Sequence, residues 1–401
     1  MQAPHTLDII DSSDYVTKYD LSELREIECC MDVKYLDPRH YGICTELLIS
    51  EAGEFNKVAH LFTGLRKVSV GTSAPILYPE SVTKIKTIDY SSMSLGNLPR
   101  GLKYLKCVPS DEYETFDFTE FSHLETLIVY HLRVKVPPNI TKFGGVTNDP
   151  LGSCTTFVVT SDNASMIPPT ATYIIGGDNE QGEMITIGEN IKGIKGPGYV
   201  FDIVDGSGLE KVKLDSVVNH VPWHKMTNLR HLKLSCLEDE EHKLANLASP
   251  NLVTLELTEA GLGGLPTNLE NIEVIRIIDS DVVVEQKYIC PKLRLLETPD
   301  ATFHTHFEAP NLRKLIILSC EDVEYMIIDF PRVESLVLEI DQSVSCNHGI
   351  TLPNLKKLKL YIPEHEDRDY AENVALGVFG HVSFELTLET DDYFVFRSTK
   401  R

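Results

Sequence analysis

Apolar and polar residues alternate along this chain in short bursts that share one phrase, apolar–x–x–apolar–x–apolar. Leu252-Val253-Thr254-Leu255-Glu256-Leu257 is a clear copy. Numbering the phrase from its first apolar residue, positions 4 and 6 alternate with polar ones. That is the period of a half-buried strand, with 4 and 6 on one face and 3, 5 and 7 on the other. Position 1 sits at the bend into the strand.

Copies begin with Leu24/Ile27/Cys29, Cys44/Leu47/Ile49, Leu65/Val68/Val70, Ile85/Ile88/Tyr90, Leu102/Leu105/Cys107 and Leu124/Leu127/Val129. The centre gives weaker ones: Ile140/Phe143/Gly145, Thr155/Val158/Thr160, Thr170/Tyr173/Ile175 and Ile191/Ile194/Gly196. Position 1 then falls at Leu209, Leu229, Leu252, Ile272, Leu293, Leu312, Val333 and Leu355, a step of roughly 20 residues. Phe379/Val382/Phe384 reads as a last copy.

Lead-ins recur as well. Pro-Asn-Leu starts at 250, 310 and 353, joined by Pro291-Lys292-Leu293, Pro331-Arg332-Val333 and Thr227-Asn228-Leu229. Earlier copies use Leu98-Pro99-Arg100-Gly101-Leu102, Pro137-Pro138-Asn139-Ile140 and Pro168-Pro169-Thr170. Pro fixes φ at such a bend and offers no donor to the strand ladder. One repeat of this size cannot bury its own apolar face, but a stack shares one core beneath a parallel sheet.

In this phrase, period and lead-in the chain resembles the leucine-rich-repeat family, in an irregular eukaryotic form. The resemblance covers nearly the whole chain and is strongest over 209–360. It implies an α/β, β-dominated, horseshoe-like solenoid with a parallel inner sheet and short irregular or 3-10 convex segments. The family pattern also places Asn or Cys three residues after position 6. Cys320 and Asp341 fit that place, while Ala260, Ser280 and Ala301 do not, so the usual asparagine ladder is expected to be mostly missing.

A single domain over 1–401 follows, with a cap at 1–23, repeats over 24–384 and a C-terminal cap or tail at 385–401. Residues 140–208 form an irregular centre that holds about half of the 24 Gly, where steps are too short for convex helices. A break there, joining two stacks, is the other reading.

Composition adds a partner bias. The net charge is −23, with 60 Asp and Glu against 37 Lys and Arg. Such a chain repels phosphate backbones, so nucleic acid is not expected as a partner. No apolar run is long enough to cross a membrane, and Met1–Asp8 has neither a basic nor an apolar signal region. Nine scattered Cys read as reduced, mostly buried thiols in a cytoplasmic or nuclear protein.

Candidate chemistry is thin, and no catalytic, cofactor or metal residue is assigned. His304-Thr305-His306, Cys346-Asn347-His348 and the pair His220/His224 around Trp223 are fragments without the second pair a zinc site needs. Gly193-Ile194-Lys195-Gly196-Pro197-Gly198 lacks the Gly-Lys-Ser/Thr ending of a phosphate loop. Asn139-Ile140-Thr141 and Asn163-Ala164-Ser165 match the glycosylation sequon. The acidic runs Glu238–Glu241, Glu364–Asp367 and Glu389–Asp392 read as solvated loops, with docking of a basic partner as the other reading.

Function is therefore expected on the face formed by positions 3, 5 and 7, concave in the family. It carries Lys67, Lys106, Lys142, Lys195, Lys211, Lys213, Lys233, Arg276, Lys314, Lys357 and Lys359 against Glu26, Glu28, Glu46, Asp89, Asp215, Glu256, Glu297 and Glu339. The face is thus basic relative to the whole chain. Tyr104, Ile128 and Tyr130 form one apolar group there, and Val274, Ile278, Ile316, Leu318 and Val337 another. Exposed apolar clusters mark interaction sites, and strand propensity favours the same residues. The expected function is a non-enzymatic scaffold or adaptor that binds a protein partner on this face. The alternative is the substrate-recognition subunit of an F-box-like ubiquitin ligase, although 1–23 holds no recognisable F-box.

Overall fold

Leu252, Leu255 and Leu257 are buried, while Thr254, Glu256 and Thr258 on the other face are half-exposed. The computed structural model describes residues 6–9, 26–29, 38–72, 74–87, 95–107, 115–160, 163–177, 184–216, 221–237, 244–261, 264–280, 282, 286–299, 303–318, 328–339, 350–361, 371–372, 375, 384–389 and 393–398. They form a β-solenoid of parallel strands with few helices. Two compact units are present, Met1–Glu183 and Met184–Arg401.

In the first unit the strands are β1 (Thr6–Ile9), β2 (Glu26–Cys29), β3 (Cys44–Ile49), β4 (Lys67–Val70), β5 (Lys84–Thr87), β6 (Tyr104–Cys107), β7 (Thr115–Asp117), β8 (Thr126–Lys135), β9 (Lys142–Val146), β10 (Thr156–Val159) and β11 (Tyr173–Gly176). They pair in parallel in chain order, except that β7 pairs with the far half of the long β8 while β6 pairs with its near half. The expected N-terminal cap thus contains a parallel strand of its own, β1. The helix α1 (Ala52–Val58) buries Phe55 beside Phe62.

In the second unit follow β12 (Ile185–Thr186), β13 (Gly193–Pro197), β14 (Phe201–Asp202), β15 (Lys211–Asp215), β16 (His231–Leu237), β17 (Thr254–Ala260), β18 (Val274–Ile278), β19 (Tyr288–Ile289), β20 (Leu295–Thr298), β21 (Phe307–Glu308), β22 (Lys314–Ile317), β23 (Ile328–Asp329), β24 (Ser335–Glu339), β25 (Ile350–Thr351) and β26 (Lys357–Tyr361). The main sheet runs β13–β15–β16–β17–β18–β20–β22–β24–β26, all parallel. The return sides carry short parallel pairs, β12–β14, β19–β21 and β23–β25, and 3-10 turns such as Trp223–Lys225.

The C-terminal end departs from the repeat. Phe384 does not close a parallel copy. It opens β27 (Phe384–Glu389), which pairs antiparallel with β28 (Tyr393–Ser398), and β28 pairs antiparallel with β26. Residues 376–383, where the rest of that expected copy lies, are outside the described set. The physical reason for the hairpin is the continuous apolar run Tyr393-Phe394-Val395-Phe396, which needs cover. It sets Phe394 and Phe396 opposite Leu360 and Leu358, and both phenylalanines are buried.

The Pro lead-ins are β-turns. Leu293, Leu312, Val333 and Leu355 each donate a backbone N–H to the carbonyl three residues earlier, at Cys290, Ala309, Phe330 and Leu352. Pro therefore stands at the second place of the turn, where its fixed φ fits. The first residue of each turn is buried, adding one more apolar position to each repeat.

The Asn of the lead-in has its own task. Asn228, Asn271, Asn311 and Asn354 each donate Nδ2 to a carbonyl of the preceding turn, at Ser207, Pro250, Pro291 and Pro331, all at 2.7 Å. Asn139 does the same to Ser122 at 2.8 Å. Where Lys292 and Arg332 replace Asn, they donate to Oδ1 of Asn271 and Asn311. A side-chain ladder thus joins successive turns, at the lead-in rather than after position 6. After position 6, Ser280 does serve, against expectation: its hydroxyl accepts from Ala260 N at 3.0 Å and donates to Ile278 O at 2.7 Å.

Three copies are corrected. Around β5 the core residues are Val82, Ile85 and Thr87, so Ile85 takes position 4 rather than the expected position 1, while Ile88 and Tyr90 lie outside the described residues. Around β10 they are Cys154, Phe157 and Val159, and around β11 Ala171, Ile174 and Gly176. The last two differ by one residue from the expected phrase, and a one-residue slip turns every side chain to the other face. Consecutive apolar residues such as Phe157-Val158-Val159 erase the alternation that would have fixed the register.

Candidate functional site

Positions 3, 5 and 7 form the outward face of the main sheet. In the second unit position 5 is one continuous row: Lys195, Lys213, Lys233, Glu256, Arg276, Glu297, Ile316, Val337 and Lys359 stand opposite one another on successive strands. Parallel pairing at about 4.8 Å spacing puts each side chain against the next.

The middle of the row is balanced. Lys233 Nζ lies 3.1 Å from Glu256, and Arg276 lies 3.6 Å from Glu256 and 3.3 Å from Glu297. Arg276 Nε faces Glu297 without hydrogen-bond geometry, so that contact is Coulombic. With Arg276 partly open to solvent, each pair contributes about 0.5–1 kcal/mol at most.

The start of the row is not balanced. Among the described residues, no carboxylate lies within ion-pair distance of Lys195, Lys211 or Lys213. Lys211, Lys213, His231, Lys233, Thr254 and Glu256 line a shallow depression of about 460 Å3. His231 Nδ1 lies 3.2 Å from Thr254 Oγ1 at its edge. The Gly-rich run 193–198 is thus no loop: most of it is β13, and it presents Lys195 in register with Lys213.

Beyond the balanced segment the face is apolar. Ile316 and Val337 are neighbours on β22 and β24, with Leu318 just beyond Ile317, and all three are half-exposed. Val274 stands opposite Leu295, an outward residue that sequence reading missed although it occupies position 3 of its copy. Ile278 is half-exposed, two residues beyond Arg276. Lys314 stands between Leu295 and Ser335. At the far end Lys357 faces Arg397, and Lys359 is held by aromatic rings: its Nζ is 3.4 Å from the Tyr393 ring centre, 4.4 Å from that of Tyr361 and 2.6 Å from the Tyr361 hydroxyl.

The first unit differs. Tyr104 is half-exposed, with Lys84 Nζ 5.0 Å from its ring centre. Lys84 and Lys86 join this face once β5 takes its observed register, whereas Asp89 lies outside the described residues. Ile128 is a correction: expected on an exposed patch, it is only 5% exposed. It stands opposite Gly144, where an added Cβ would come within 2.7 Å of Val158 Cβ and 3.4 Å of Ile128 Cγ2. Ile128 and Val158 therefore close over a glycine. Tyr130 belongs to β8, but its side chain is outside the described set.

Other candidates dissolve into structure. His304 is buried in a 3-10 turn with its ring edge-on to Phe330, while His306 is half-exposed. Trp223 is buried in another such turn. His220, Cys346 and His348 are outside the described residues. Among the described residues no group of three or more His, Cys, Asp or Glu is placed to hold a metal ion, and no helix is long and apolar enough to cross a membrane. Cys44, Cys107, Cys154 and Cys290 are buried free thiols, and Cys236 is an exposed one. Burial pushes the Cys290 thiol up to about 12 and raises Cys107 and Cys154 as well, the reverse of what a nucleophile needs.

Asn163, read earlier only as part of a sequon, is fully buried. Its side chain accepts from Thr160 N at 2.8 Å and donates to Gly145 O at 3.0 Å and Val158 O at 3.1 Å. No protein-family model and no curated protein sequence matches the chain.

Proposed function

We propose that this chain is a non-enzymatic recognition scaffold of the leucine-rich-repeat type, which holds a protein partner on the outward face of its second unit. The repeat phrase and its step of roughly 20 residues support the family type. The observation that carries the binding reading is the half-exposed apolar group Ile316, Leu318 and Val337, continuous in register with an ordered row of charges. Exposed apolar centres with polar surroundings are the usual anatomy of a recognition patch. The free thiols are in keeping with a reducing compartment, cytoplasm or nucleus.

The test is capture and identification of partners with wild type, with Ile316→Glu plus Leu318→Glu, and with Ile289→Glu on the return side, where Ile289 is 64% exposed. The reading expects the double variant alone to lose a partner while retaining the wild-type melting temperature. Unchanged capture by a folded double variant contradicts it.

A further inference from the structure

We infer that Lys195, Lys211 and Lys213 form a docking strip for a short, carboxylate-rich peptide segment of the protein partner. The inference rests on the recognition reading above and adds the chemistry of what is recognised.

Register makes the strip. Lys195 stands opposite Lys213, and Lys213 opposite Lys233. Lys211 lies two residues before Lys213 on β15, hence on the same face. Like charges set directly opposite one another across strands are destabilising. Lys233 is offset by Glu256 at 3.1 Å. The other three have no carboxylate within ion-pair distance among the described residues.

Composition makes this unusual. The chain holds 60 acidic residues against 37 basic ones. Acidic side chains are plentiful, and four turns of the same row use them to alternate sign, from Lys233 through Glu256 and Arg276 to Glu297. Asp215 stands two residues beyond Lys213 on the same face but makes no ion pair with it, and the lysine strip leaves the rest of the balancing charge to something else.

Charge complementarity and size choose the occupant. Two strands about 4.8 Å apart, β13 and β15, and two lysines two residues apart along β15 give a patch of roughly 5 by 7 Å. That is close to the Debye length of about 8 Å at physiological salt. A segment with a few carboxylates fits inside this range. A long polyanion extends past it into the field of a protein with net charge −23. Thr254 and His231 at the edge of the depression offer hydrogen bonds beside the charges.

The experiment uses the full chain and a fluorescein-labelled hexapeptide of alternating Asp and Ser, read by fluorescence anisotropy. Its Asn/Ser counterpart and an oligonucleotide of equal charge are the comparators. The inference expects the acidic peptide to bind more tightly than both comparators and to weaken with added salt. Lys195→Gln plus Lys213→Gln should weaken it about tenfold. Arg276→Gln, in the balanced segment, should leave it unchanged. Absence of peptide binding, binding indifferent to the lysine pair, or a preference for the oligonucleotide overturns the inference. Partner capture by Ile316→Glu plus Leu318→Glu separates the two levels. Lost capture without peptide binding overturns the lysine strip alone, and retained capture overturns the recognition reading beneath it.

Discussion

Around Gly144 the outward face of the sheet is shut, and across β15 to β18 it is open, although both regions are built of stacked parallel strands. In the first, Ile128, Gly144 and Val158 place two branched side chains over a glycine, and both are almost fully buried. The inner face there has Gly145 and Gly176 at position 6 and large rings, Phe143 and Phe157, at position 4. In the second, Val, Leu and Ile fill positions 4 and 6, and position 5 carries Lys, Glu and Arg, whose charges stay solvated or paired. Side-chain volume and charge at position 5 therefore decide whether one sheet face is core or surface.

Exchanging the two characters should break the comparison most sharply. Val158→Lys puts a charge where Val158 is 3% exposed and should cost about 3 kcal/mol or more. Lys213→Val should stay within about 0.5 kcal/mol. Urea unfolding of both variants measures the difference, and similar costs would mean the faces are alike. Next comes the polar support. Asn163→Ala leaves Thr160 N and two carbonyls without their partner and should cost about 2–3 kcal/mol. Asn271→Ala removes two exposed bonds, to Pro250 O and from Lys292 Nζ, and should cost about 1 kcal/mol.

Gly144→Ala tests the closed face directly. Its Cβ would meet Val158 Cβ at 2.7 Å, an atom tied to the backbone, so the strands must part, at about 1–2 kcal/mol. Neutral or stabilising behaviour on thermal melting would mean that the strands separate freely. Arg276→Gln on the open face breaks its pairs with Glu256 and Glu297 and should cost at most about 1 kcal/mol, less at high salt.

The smallest effect is a pH dependence. Hydrogen bonding and charge from Lys356, with Arg313 adding charge, hold the Glu334 carboxyl below its usual range. A depressed folded-state value contributes stability above the unfolded value, about 4.3, that is lost as pH falls through the folded one. Glu334→Gln should flatten the acid limb of a melting-temperature profile slightly. An unchanged slope would contradict the pairing.

Much of this was readable in the sequence where the phrase is regular. Leu209 through Leu360 fell in the expected register because polar residues separate positions 4 and 6. Phe157-Val158-Val159 and Tyr173-Ile174-Ile175 hid their register because apolar residues run together, and Gly at position 6 removes the second marker. The Asn ladder was visible as a recurring Pro-Asn-Leu, but its bonds run between turns about 20 residues apart, which a local reading does not connect. The closure of Ile128 depended on Gly144 and Val158, on two later strands. The aromatic hold on Lys359 needed the antiparallel return of Tyr393.

The claim that recognition belongs to the outward face is tested most directly by placing a photo-crosslinking residue at position 316, in place of Ile316, and separately at position 289, in place of Ile289. With partner bound, irradiation should give a crosslinked product from position 316 and none from position 289. Crosslinking from position 289 alone would contradict the account.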